Sequence, residues 1–251
     1  VTPRASFGFG RLLRGGLRFA ILSGAAFVLW LLAVWPPPAW YRTHWPRETP
    51  FMAMRHGDSV RRYVPVPLDR ISPHLVRAVV VAEDHRFREH GGIDFNAMRD
   101  AVGYRRRDFS WRNPRDRHEL WRALRKVFAN PGDLRGASTI TQQLAKNMYL
   151  SSSRNPMRKI KEGVLAWRLE HALGKDRVLE LYLNIAELGT GVWGAEAASQ
   201  VYFGRSAKDL GVRDAAALAA TLPHPRTSNP AHRPGRMRWR QNLILGRLGR
   251  E

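Results

Sequence analysis

Cysteine is absent from this chain. That excludes disulfides and thiolate-ligated metal sites, and it suits a compartment where stray thiols would be oxidised. Acidic residues are scarce: 21 Asp and Glu stand against 42 Lys and Arg, a formal net charge of +21. No P-loop, dinucleotide glycine motif, zinc spacing or nucleophile elbow occurs, and the Gly-rich GTGVWG segment lacks the strand-to-helix context such motifs need. Internal repeats and sustained strand alternation are missing as well, so the expected fold class is mainly α. At 251 residues, with a tail and an anchor removed, one medium-sized domain remains and a second catalytic domain has no room.

From Phe19 to Trp35 no side chain is charged, and uncharged residues continue through Pro36-Pro37-Pro38 to Trp40 and Tyr41. This is close to the ~20 residues that cross hydrocarbon. Arg4, Arg11, Arg14 and Arg18 precede the run without an acid, which predicts a cytoplasmic N-terminus and a single pass. Trp30, Trp35, Trp40 and Tyr41 suit the interfacial aromatic belt. A cleaved signal peptide is the rival, but bulky Trp35 and the three prolines replace a small-residue cleavage site. The remainder would lie on the periplasmic or extracytoplasmic face of the cytoplasmic (inner) membrane. That location argues against nucleic acid as the partner of the basic surface and favours anionic headgroups, at roughly 1 kcal/mol per basic residue near the surface.

The expected organisation is a basic cytoplasmic tail (1–18), a transmembrane anchor (19–41), a linker (42–70) and a catalytic domain (71–251). Pro46, Pro50, Pro65 and Pro67 keep the linker extended, with one short strand. Ser72-Pro73 reads as an N-cap and first helical position, with Leu75, Val76, Val79 and Val80 as the buried face and Glu83 near the helix end. Residues 104–135 form a basic insertion, ten Lys/Arg against four Asp/Glu interleaved with Phe109, Trp111, Trp121 and Phe128. It reads as a solvated surface segment or a membrane-touching flap, with a helix over about Arg117–Phe128. Further on, Thr139 and Gln142 can form a capping box, and Ile140, Leu144 and Met148 stack on one face. A helix starts at Asn155-Pro156 with Ile160, Val164, Leu165, Trp167 and Leu169 as core positions. Asp176 caps the next, through VLELYLN. An Ala-rich helix ends near Gly204, and a last pair covers Ala215–Leu222 and Met237–Leu248.

Chemistry concentrates in EDHRFREHGGID, from Glu83, and GASTITQQLAKN, from Gly136. Glu83 adjoins Asp84 after an apolar run; like charge and partial burial both raise a carboxyl pKa, as a general base or acid near neutrality requires. A structural acidic pair at a helix end is the plainer alternative. His90 can hold a carboxylate in place, or simply pack. Ser138, Gln142, Gln143, Lys146 and Asn147 would gather hydroxyl, amide and ammonium groups near helix N-terminal turns, a surface suited to sugar hydroxyls and phosphate oxygens. Arg154, Arg158 and Lys159 add cations, and guanidinium suits phosphate. Glu162 sits one turn from Arg158, at salt-bridge spacing, with Leu165 and Ala166 beside it.

Those two stretches, with RKIKEGVLAWRLE, ELYLNIAELGTGVWGAEAASQVYFG and AALAATLPHPRTSNP, resemble the five ordered motifs of the family 51 peptidoglycan glycosyltransferases. The chain stops soon after the fifth motif, so it resembles the family's monofunctional biosynthetic transglycosylases more than its two-domain penicillin-binding members. The resemblance implies a lysozyme-like helical domain that polymerises lipid II into β-1,4-linked glycan, with inversion and release of polyprenyl diphosphate. Matched to the motifs, Glu83 would be the catalytic base and Glu162 the second catalytic glutamate. Lys146, Arg154, Ser138, Gln142, Gln143, Asn147 and Arg158 would bind substrate; Asp84, Phe87, His90 and Asp94 would support the site. No resident metal or cofactor is required, and a divalent metal such as Mg2+ would at most accompany the substrate diphosphate. Lipid II, the nascent glycan strand and the membrane are the implied partners, with cell-division or elongation proteins as candidates and no nucleic acid. In the family the 104–135 region is mobile and near the membrane. Two rivals share the groove: a lysozyme-like lytic enzyme, and a non-catalytic, membrane-anchored module that retains precursors.

Overall fold

The computed structural model describes residues 7–55, 60–101, 103, 110–129, 138–150 and 156–250. Two compact units divide at Pro36 and Pro37. The first contains helix α1 (Phe7–Leu32), of which Arg14–Leu32 is long and apolar enough to cross a membrane and has no buried residue. The expected anchor reached Tyr41, but helix ends at Leu32. Pro38–Arg42 is instead a 3-10 turn of the second unit, where Tyr41 is buried edge-on against Tyr149 rather than placed in an interfacial belt.

The second unit is mainly helical. After the 3-10 turn come α2 (Pro50–Met54), α3 (Pro73–Glu83), α4 (Phe95–Ala101) and α5 (Pro114–Ala129). They are followed by α6 (Ile140–Tyr149), α7 (Pro156–Ile185), α8 (Ala195–Phe203), α9 (Val212–Thr221) and α10 (Gly235–Leu248). Residues 42–70 are not an extended linker. Thr49 caps α2 by accepting from the Met52 N–H, and Asn184 ties the later part down, accepting from Val66 N at 2.8 Å and donating to Val66 O at 2.8 Å. The predicted short strand is β1 (Arg62–Tyr63), which runs parallel to β3 (Val192–Trp193); β2 (Glu187–Gly189) pairs antiparallel on β3's other side. Strands of two or three residues are too short to leave a period-two pattern in sequence.

The core forms where α6 packs on α7 and α3 on α9 and α10. Ser72 caps α3 and donates to Leu210 O at 2.7 Å, fixing that helix against the entry to α9. On α3, Leu75 and Val79 are buried as expected, with Ala78 and Val81 beside them; Val76 and Val80 are only half-buried. Ile140, Leu144 and Met148 of α6 are buried, as their spacing predicts. The expected cap at Asp176 is displaced: α7 bends at Gly174, whose φ of 74° and ψ of 168° are non-helical, and Asp176 pairs with Arg88 on the surface. Of the positions expected to be core in the first half of α7, Leu165 and Leu169 are buried while Ile160 and Trp167 are exposed.

Gly194 joins the sheet to α8 at φ 85°, and a Cβ there would lie 2.3 Å from the Asn184 carbonyl oxygen. Both the left-handed backbone and that contact exclude a side chain. Gly194→Ala is expected to destabilise the domain by about 3 kcal/mol; the midpoint of chemical denaturation, compared with wild type, measures it.

Candidate active site

The end of α3 meets the start of α6. Asp84, the residue after α3, turns out of the helix with φ −163° and ψ 73°. Its carboxylate accepts from the Ile140 N–H at 3.0 Å, an otherwise orphan donor at the α6 N-terminus, and from His90 Nε2 at 3.0 Å. His90 Nδ1 accepts from the Gly92 N–H at 3.2 Å, which leaves Nε2 as the protonated nitrogen. Thr139 completes the junction: its hydroxyl donates to Gly92 O at 2.6 Å and accepts from Gln142 N at 3.1 Å, while Gln142 Oε1 accepts from Thr139 N at 3.0 Å. This is the expected capping box. It also uses the buried Gln142 amide in the scaffold, away from the substrate role expected of it.

Phe87 is fully buried, with the Lys175 ammonium 4.4 Å from its ring centre. Asp94 accepts twice from Arg86, at 2.9 and 3.1 Å, and from Ala97 N at 2.9 Å. Burial works to raise its pKa, but the Ala97 N–H and Arg86 outweigh it and hold the carboxyl below its usual range. All four supporting residues are thus committed to the architecture. Asp84, His90 and Asp94 lie close enough to share a metal ion. Their donor atoms are already engaged, with the Arg86 guanidinium filling the place of a cation, so the set does not fit a resident divalent ion.

Glu83, the last residue of α3, has a side chain 13% exposed. Oε2 accepts from Gln143 Nε2 at 2.9 Å and Oε1 from Arg240 Nη2 at 2.7 Å. Arg240, on α10, also donates to the Ala82 carbonyl at 3.1 Å. Behind Gln143, the buried Tyr182 hydroxyl donates to its Oε1 at 2.9 Å and so turns the amide NH2 toward Glu83. Burial pushes the Tyr182 hydroxyl far above its ordinary pKa, keeping it a donor. Burial also raises Glu83, against the opposing pull of Gln143, Arg240 and Lys146. A carboxylate so placed binds a proton more readily than a surface glutamate.

Lys146 follows Gln143 by three residues on α6. Its ammonium stands 5.9 Å from the Phe51 ring centre, and among the described residues no carboxylate lies within ion-pair distance of it. Burial lowers its pKa; Glu162 and Glu83 oppose the shift, while Lys159 and Arg158 add to it. Lys146 therefore feels both carboxylates. Glu162 is 3% exposed and held by two cations, Arg158 at 3.0 Å and Lys159, whose ammonium also donates to Ser138 Oγ at 3.0 Å. Asn147 is buried on α6 with its Oδ1 unpartnered among the described residues. Arg154 lies outside the described residues, as do 104–109 and 130–135 of the basic insertion.

Glu83, Gln143, Lys146, Ser138, Arg158 and Glu162 thus belong to one region spanning the end of α3, the half-buried side of α6 and the start of α7. Arg240 and Tyr182 escaped sequence reasoning. Arg240 is one of several arginines in α10, and nothing in their order marks which one turns inward. Tyr182 reads as an ordinary core aromatic.

The Transglycosylase family model matches residues 49–113 and 107–249 of this chain. A biosynthetic peptidoglycan transglycosylase of Bordetella avium is 38% identical over 241 residues, covering 93% of this chain and 92% of that protein. Proteins of the same name from Azoarcus sp. and Rhodospirillum centenum are 37% identical over 238 residues and 40% over 236. These alignments cover 92% of this chain and 93% of the Azoarcus protein, and 91% of this chain and 88% of the Rhodospirillum protein.

Two substitutions test the carboxylate's environment. Arg240→Leu removes a cation that favours ionised Glu83, and Tyr182→Phe releases the Gln143 amide to rotate. Each is expected to move the Glu83 titration to higher pH, read by carbon-13 NMR of a glutamate-labelled protein. An unchanged titration in Arg240→Leu would show that the ion pair does not set this carboxyl.

Proposed function

This chain belongs to the Transglycosylase family and is a peptidoglycan glycosyltransferase; from that premise we propose that it polymerises lipid II, with Glu83 as the base. The observation that carries this reading is the mostly buried Glu83 carboxylate at the end of α3, held between the Gln143 amide and the Arg240 guanidinium beside the α6 face that carries Lys146. Glu83 takes the proton from the acceptor sugar's 4-hydroxyl as that oxygen bonds to the donor's anomeric carbon. The bond from that carbon to the diphosphate breaks on the opposite face. One base opposite the leaving group gives inversion, converting an α-linked donor into a β-1,4 linkage without a covalent intermediate.

Diphosphate departs as an anion, so it calls for cations rather than a proton donor. Lys146, Arg158 and Lys159 are the described candidates, and Arg154 joins them by its match to the motif. Glu162 orients Arg158 and Lys159 in this reading. With both oxygens engaged by cations it is poorly placed to protonate an alkoxide, which is what a lytic enzyme would ask of a second acid. Asn147, whose Oδ1 lacks a protein partner among the described residues, suits a sugar hydroxyl. Ser138 and Gln143 remain substrate-facing candidates; Gln142 is better assigned to the capping box. No step is routed through a divalent ion.

The apolar Arg14–Leu32 helix fits a membrane anchor. Arginines before it favour a cytoplasmic N-terminus, with the enzymatic unit on the outer face of the inner membrane, where a polyprenyl-linked substrate can be reached.

Glu83→Gln is expected to reduce polymerisation of radiolabelled lipid II on gels by roughly 10²–10⁴-fold. The raised folded-state pKa means that Glu83 contributes stability fully present below its unfolded value and lost as pH rises through the folded one. The glutamine variant should therefore melt no lower than wild type at neutral pH. Substantial turnover by that variant would refute the base assignment, and lipid II binding without turnover in the parent would favour a retention module. Lys146→Ala should cost on the order of 10²-fold in turnover while membrane association, measured by vesicle flotation, stays near wild type.

A further inference from the structure

Helix α2 precedes all five motif-like stretches, yet it packs on α6, the helix that carries Gln143, Lys146 and Asn147. Phe51, in its first turn, is half-buried, with its ring edge-on to Trp193 of β3 at 6.0 Å between centres. Two cations approach that one ring: the Arg55 guanidinium at 5.0 Å from its centre and the Lys146 ammonium at 5.9 Å. They are no farther apart than those two distances laid end to end. An aromatic face attracts a cation without neutralising it.

The backbone of Arg55 is fixed on both sides. Its N–H closes α2 by donating to Met52 O at 3.1 Å, and its carbonyl accepts from Arg226 Nη2 at 2.9 Å. Arg226, between α9 and α10, also donates from Nε to Glu187 Oε1 at 2.6 Å, so the buried Glu187 carboxylate is already neutralised. The second Glu187 oxygen stands 3.8 Å from Arg55 Nε, beyond hydrogen-bond distance. Among the described residues no acceptor takes a hydrogen bond from the Arg55 guanidinium, which is 39% exposed. An ion pair so long and so exposed contributes little to stability. One carboxylate therefore answers two arginines, and Lys146 brings a third cation with no ion pair among the described residues. Cations gathered about one ring repel each other, and an anionic ligand would make good the missing negative charge. A guanidinium with unused donors on a fixed backbone suits the paired oxygens of a phosphate.

We propose that Arg55 binds the diphosphate of the polyprenyl-linked substrate together with Lys146, as a further cation that α2 brings to the site. This rests on the lipid II reading above and names an additional contact for it. The bonds made and broken are those already given, and Arg55 adds only charge stabilisation for the departing diphosphate. Glu187 and Arg226 act through Arg55, by holding the end of α2 where its guanidinium shares the Phe51 ring with Lys146. The segment whose prolines suggest an extended linker thereby takes part in substrate binding.

Isothermal titration calorimetry of the full chain in detergent, with inorganic pyrophosphate as the probe for the leaving group, reads this contact without turnover. Arg55→Gln is expected to weaken pyrophosphate binding by about ten-fold. Arg213→Gln, at an exposed arginine of α9, controls for the loss of one positive charge and should bind nearly as the parent does. Arg55→Lys keeps the charge and should recover most of the affinity; a loss as large as in Arg55→Gln would mark a role in folding alone and overturn the proposal. Arg55→Gln binding as tightly as Arg213→Gln, with Lys146→Ala binding weakly, would also overturn it while leaving the lipid II reading standing. Lys146→Ala binding as tightly as the parent, or a parent with no saturable binding, would take the diphosphate away from Lys146 and the proposal with it.

Discussion

Asp84 holds the site together. Its carboxylate reaches from the end of α3 to the first N–H of α6, where the helix dipole favours negative charge, and takes a second hydrogen bond from His90. Without that bridge the two helix ends would be free to separate, and with them the two halves of the proposed chemistry. Glu83 belongs to α3, whereas Gln143, Lys146 and Asn147 belong to α6. The EHGGID turn reinforces the junction, since Gly92 accepts from Thr139 and approaches α7 so closely that a Cβ there would sit 2.8 Å from the Ala166 carbonyl oxygen. Three helices thus meet at one point, and the candidate site residues surround it.

Burial at this junction acts on opposite charges in opposite senses. It raises the pKa of Glu83 and lowers that of Lys146, making each ion less favourable alone, while their mutual attraction restores part of what desolvation removes. Such a pair is poised for a reaction in which a proton arrives at one end and negative charge develops at the other. In the proposed reaction, protonation of Glu83 would weaken the restraint on Lys146 as the departing diphosphate presents a new anion. Glu162 is the contrasting case. Gripped by Arg158 and Lys159, it serves as a fixed counter-ion that gathers cations, and its burial is tolerable because both oxygens are satisfied.

Much of this was legible in the residues. Ser72-Pro73 announced α3, the Thr139/Gln142 box announced α6, and apolar spacing located α9 and α10 to within a few residues. Those signals are local, fixed by capping and periodicity. What escaped was set by distance in the chain. Arg240 meets Glu83 across 157 positions, and no pattern within α10 distinguishes an inward arginine from an outward one. The short strands had too few residues to show alternation. The bend at Gly174 was misplaced by two residues because Asp176 offered a conventional cap signal, while glycine's permitted φ settled the matter without one.

The error on α7 is the most informative. Ile160 and Trp167 look like core residues because apolar side chains at helical spacing usually mark a buried face, and the helix does have one, through Leu165 and Leu169. A second apolar arc on the opposite side is costly in water, so a helix carrying both calls for two apolar neighbours. Protein supplies the first. What meets the second is outside the reach of periodicity, which reports that an apolar face exists and not what covers it.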